Sequence, residues 1–117
     1  MMKQIMAYFA VSIPSDQGSR IYDMDIQRSE DGSRLFLTSH YPVEAEQRLW
    51  FAVWGQPDWD NDLAVYPGDL DEEGIWHCTV PLDAHGEKGM FYIHARVGDA
   101  DDPPEEGTVI MKWYYIE

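Results

Sequence analysis

Positive charge is what this chain has least of. Eight Lys and Arg stand against 22 Asp and Glu, a formal net charge of −14 over 117 residues. Such a surface repels DNA, RNA and anionic lipid, so neither direct nucleic-acid binding nor membrane binding is expected. Cysteine is nearly missing too. Cys78 is the only one, which rules out an intrachain disulfide and leaves the redox compartment open, with a slight lean to the cytoplasm. No hydrophobic run approaches the length of a membrane span. There is no Gly-x-Ser-x-Gly elbow, phosphate loop or His-Glu-x-x-His, so no catalytic signature is present and no enzyme is expected. Helical periodicity, internal repeats and low-complexity tracts are also lacking.

What remains is rich in core material. Hydrophobic residues make up 44% of the chain and aromatics 14%, five of them Trp. That is enough for one domain, residues 1–117, to bury a core without staples. Runs of period two bounded by turn residues recur along it. Ile5, Ala7, Phe9, Val11 and Ile13 alternate cleanly, which reads as a first strand rather than a signal peptide, since no small-x-small cleavage site follows. Residues 20–28 place Tyr22, Met24 and Ile26 on one face. Glu30-Asp31-Gly32-Ser33 is a hairpin signal, and 34–39 is its partner strand. The loop 40–47 has room for a short helical turn. Residues 48–54 are apolar on both faces, as a central strand requires. Strands over 63–67, 75–81, 90–97 and 108–116 follow. The spacing predicts an all-β, immunoglobulin-like antiparallel β-sandwich of about 7–8 strands.

The stretch 48–99 carries a more specific order of residues. An apolar strand ends in Val53-Trp54; a polar loop holds Gln56 and Asn61-Asp62; a short strand ends in Tyr66. Gly74-Ile75-Trp76 then opens a strand running through Thr79-Val80, and His85, Gly89 and Phe91-Tyr92-Ile93-His94 close the series. This order resembles the GBS Bsp-like repeat of bacterial surface and wall-associated proteins. The chain departs from that pattern in having Val65 before the Tyr and an extra Trp59 in the loop. The resemblance implies an immunoglobulin-like fold and a non-catalytic role at a cell surface. The absence of an evident leader instead reads as cytoplasmic, so localisation stays open.

Candidate sites follow from exposed aromatics and carboxylates. Trp54, Trp59 and Tyr66 gather around one loop with Gln56, Asp58, Asp60 and Asp62. Rings beside polar groups suit sugars or protein hot spots. Packing at the core or rim is the simpler account of Trp54 and Tyr66 taken singly, and Trp59, between two Asp, is the one expected in solvent. The binding set is therefore Trp59, Gln56, Asp58, Asp60, Asp62 and Tyr66. Acid-rich loops also occur at 69–73 and 99–106. Asp58, Asp60 and Asp62 alternate like the start of a calcium loop, but Leu63 and Asp69 stand where an EF-hand needs Gly and Glu. No metal site and no cofactor are expected. His77 and His94 lie on strands and are placed to meet across a sheet. Cys78 shares parity with Trp76 and Val80 and is expected inside, which opposes a Cys78–His94–Asp arrangement.

Two functions from different classes fit these residues. One is a non-catalytic interaction module that binds a glycan or protein through sandwich-end loops. The other is a small acidic inhibitor, cytoplasmic and of phage type. It would dock on a basic groove of a target protein, one suited to nucleic acid. The oligomeric state is not legible.

Overall fold

The computed structural model describes residues 4–5 and 11–12 by backbone only, and 22–55, 63–85 and 89–116 in full. In chain order the strands are β1 (Gln4–Ile5), β2 (Val11–Ser12), β3 (Met24–Arg28), β4 (Arg34–Ser39), β5 (Gln47–Gly55), β6 (Ala64–Pro67), β7 (Asp69–Leu70), β8 (Trp76–Pro81), β9 (Gly89–Asp99) and β10 (Thr108–Ile116). They form two antiparallel sheets. The smaller runs β3-β4-β8-β7; the larger runs β6-β5-β9-β10, and β1 and β2 both pair with β10 at its far edge. The architecture is an all-β sandwich. Among the described residues the single helical element is the 3-10 turn Leu82–His85.

Alternation dictates which side chains meet between the sheets. Met24, Ile26, Leu35, Leu37, Trp76, Cys78 and Val80 project from the smaller sheet. Leu49, Phe51, Val53, Phe91, Ile93, Ala95, Ile110, Tyr114 and Ile116 face them from the larger. The outer face of the larger sheet is covered as well. Trp50, Ala52 and Trp54 are all buried there, as the two apolar faces of β5 lead one to expect. Trp54 stacks on Tyr92 with centroids 5.7 Å apart and meets His94 edge-on at 4.7 Å.

Turn chemistry explains the punctuation. The β3–β4 hairpin closes on Asp31, whose Oδ1 accepts from Ser29 Oγ, Ser33 N and Ser33 Oγ, while Gly32 takes φ 79°. These donors, the Ser33 backbone first, hold the Asp31 carboxyl down at about 2. Gly68 is needed for another reason: a Cβ there would lie 2.5 Å from the Leu49 carbonyl oxygen. Its own N–H donates to that oxygen at 2.9 Å, which turns the chain from one sheet to the other.

Several boundaries differ from the sequence reading. Of the first strand, only β1 and β2 fall among described residues. The loop 40–47 contains no helical turn; a bond from Gln47 N to Glu44 O closes a plain turn instead. β7 falls in the acid-rich stretch 69–73, which the sequence presents as a loop, and the 3-10 turn falls largely in the connection between the strands expected over 75–81 and 90–97. Two-residue and four-residue elements carry no periodicity to detect.

Candidate functional site

Register fixes what gathers at each end of the sandwich. Gln47 lies opposite Asp99 and Gly55 opposite Phe91, so the β9–β10 loop sits at the start of β5. The residues before β5 share that end. So does β7, because Arg48 Nη1 donates to Gly68 O at 2.7 Å and lies 3.7 Å from Asp69. Glu44 and Glu46 precede β5; Asp69, Asp71, Glu72 and Glu73 surround β7; Asp99, Asp101, Asp102, Glu105 and Glu106 fill the β9–β10 loop. Together they are half of the chain's 22 acidic residues. All are exposed except Asp71, which is half-buried.

The cations at this end do little to neutralise them. Arg48 Nε donates to Ala100 O at 3.0 Å, and Arg96 Nη1 to Pro104 O at 3.0 Å. Trp50 Nε1 donates to Asp99 O at 3.0 Å. Three side chains on the outer face of the larger sheet thus hold three main-chain carbonyls of one loop. Arg48 also lies over the Trp50 ring, 5.8 Å from its centroid. Arginine donors used on carbonyls leave the carboxylates of Asp101, Asp102, Glu105 and Glu106 facing water. The loop is pinned from beneath and negative on top.

The turn between β7 and β8 is ordered by Asp71. Its Oδ1 accepts from Glu73 N and Ile75 N, and its Oδ2 lies 2.7 Å from His77 Nε2. The Ile75 N–H first, then the His77 ring, keep the Asp71 carboxyl below its ordinary range. Leu70 stands beside it, 56% exposed. Further along, Lys112 Nζ reaches from β10 to Met24 O at 2.7 Å and to Asp23 Oδ1 at 3.4 Å.

Among the residues singled out from the sequence, Gln56, Asp58, Trp59, Asp60 and Asp62 lie outside the described residues. Tyr66 is half-buried against the core, with its hydroxyl 2.8 Å from His85 Nε2. The structure separates His77 from His94: they lie on different sheets, His77 beside Asp71 and His94 against Trp54. Strand parity puts each on an outer face, so the whole core lies between them. Cys78 is buried, and desolvation, with Asp69 adding to it, pushes its thiol up to about 12. A thiol held neutral and a core's thickness from His94 forms no dyad with it. No group of three or more His, Cys, Asp or Glu among the described residues is arranged to hold a metal ion. Among the described residues no helix is long and apolar enough to cross a membrane.

Sequence reasoning flagged the acidic loops but missed Arg48, Trp50 and Arg96 as the clamp beneath one of them. Their acceptors are carbonyls, which every residue carries, so nothing in the sequence marks the pairing. Set against protein-family models, curated proteins and solved structures, the chain has no match.

Proposed function

We propose that this chain is a non-catalytic interaction module with an immunoglobulin-like fold. It docks on a basic surface of a protein partner through the acidic end of its sandwich. The strand order supports the fold reading. β3-β4-β8-β7 corresponds to the A-B-E-D sheet of immunoglobulin domains and β6-β5-β9-β10 to C′-C-F-G. The resemblance of residues 48–99 to GBS Bsp-like repeats points the same way on fold and on the lack of catalysis.

One observation carries the binding reading: the β9–β10 loop is held by its carbonyls, and among the described residues no cation pairs with its carboxylates. Crowding like charges costs stability through self-repulsion. An arrangement that fixes them in place, rather than pairing them, is suited to a partner that brings the opposite charge. Leu70, exposed between Asp69 and Asp71, offers an apolar anchor inside the charged rim, as protein hot spots do.

The test compares capture of proteins from bacterial lysate by the wild-type chain and by the triple variant Asp101→Asn, Asp102→Asn, Glu105→Gln. The expected partner is basic, is lost from the variant, and is released as salt rises to 1 M, where charges reach only about 3 Å. A partner retained by the variant and at high salt would overturn the reading. So would a neutral glycan bound equally at both salt concentrations.

A further inference from the structure

The outer face of the smaller sheet carries a concavity next to the acidic loops. Asp23, Asp25, Thr38, Ser39, His40 and Ile75 line a groove of about 180 Å³. Its walls come from three elements at one end of the sheet: the start of β3, the end of β4 and the residue before β8. Register sets Asp25, Thr38, His77 and Asp69 side by side in one row on this face. Asp71 adds a further carboxylate at the His77 ring.

The groove joins apolar and anionic surface. Ile75 is a half-buried aliphatic wall. His40 stands edge-on to Tyr22, which in turn stands edge-on to Tyr41, each pair with centroids 5.3 Å apart. Asp23 is engaged on one side, accepting from Met24 N at 2.7 Å and from Lys112. Asp25 is exposed, and only its Oδ2 is taken up, weakly, by Gln27 Nε2 at 3.2 Å. Among the described residues the exposed arginine on this face, Arg34, stands four residues from Thr38 along β4, about 13 Å away, too far to fill the groove. An apolar wall beneath a carboxylate matches a side chain with an aliphatic stem and a cationic head. Its volume is enough for one such side chain.

We infer that this groove seats a single arginine or lysine side chain of the basic partner, with the head group at Asp25 and the stem along Ile75. The inference rests on the docking reading above and names the point where that docking gains shape specificity.

The test is site-resolved. Titrate the 15N-labelled chain with N-acetyl-arginine amide, with its neutral isostere N-acetyl-citrulline amide, and with hexa-arginine. The arginine amide is expected to move the amide resonances of Asp25, Thr38, Ser39 and Ile75 in a saturable way, and the citrulline amide to leave them in place. Asp25→Asn, at an exposed position that keeps the spectrum of a folded chain, should weaken this response at least threefold. Asp83→Asn, exposed on the 3-10 turn beyond the far end of β8, should not. Three results overturn the groove and leave the docking reading standing: shifts confined to residues 99–106, an equal response to the citrulline amide, or an undiminished response in Asp25→Asn. No shift anywhere with hexa-arginine overturns both.

Discussion

At the scale of single residues, burial decides more than identity. Cys78 has the chemistry of a nucleophile and the position of a small core side chain. It should therefore react with a thiol reagent only as fast as the sandwich opens, slowly in buffer and at once in urea. Cys78→Ala should stay folded, losing about 1 kcal/mol with the sulfur, and should bind as the wild type does. Its inward placement was legible because Trp76, Cys78 and Val80 alternate with polar residues. His94 was not legible in the same way: its neighbour Trp54 comes from another strand by register, which one strand's sequence does not contain. Its pKa is lowered first by burial and then by Arg96. A base so depressed binds its proton less well folded than unfolded. Its stabilising contribution is complete above the ordinary value of 6.5 and is lost as pH falls below it. Urea midpoints at pH 7.5 and 5.5 should therefore drop more in the wild type than in His94→Gln. Equal drops would assign the pH dependence elsewhere.

At the scale of elements, the β9–β10 loop is the part whose behaviour separates shape from charge. Arg48→Met removes the donors to Ala100 O and Gly68 O. Hydrogen bonds from charged donors are worth about 1.5–3 kcal/mol, so amide exchange should quicken over residues 99–106 and 68–71. The variant is also more negative than the wild type. If charge alone governed docking, its affinity for a basic partner would rise; with the loop unpinned, we expect it to fall. The long strands were legible in the sequence because β5, β8, β9 and β10 each present a clean period of two or two apolar faces. β7 was hidden inside Asp69-Leu70-Asp71-Glu72-Glu73, where acidity suggests a loop. It is a strand there because β8 offers an edge and Gly68 lets the chain cross to it. Tertiary context overrides local composition in so short a segment.

At the scale of the whole molecule, the net charge of −14 acts on folding and on binding with opposite signs. Added salt screens self-repulsion, so the melting temperature should rise from low to moderate sodium chloride. The same screening shortens electrostatic steering, so the association rate with a basic partner should fall over that range. A melting temperature that falls with salt would mean that attractive ion pairs dominate the surface after all. The pairing of β1 and β2 with β10 bears on a different matter, the order in which the chain is made. Gln4 lies opposite Ile116, and Ser12 opposite Ile110. At about 5–20 residues per second, Gln4 is synthesised roughly 5–20 s before its partner. β5 must likewise wait for β9, with its row of Trp, Phe and Leu exposed on both faces in the meantime. A segment of that kind invites association between nascent chains. Glu44 and Glu46 before it, with Asp58 and Asp60 after it in the sequence, are charges at its flanks suited to keeping neighbouring chains apart until β9 arrives.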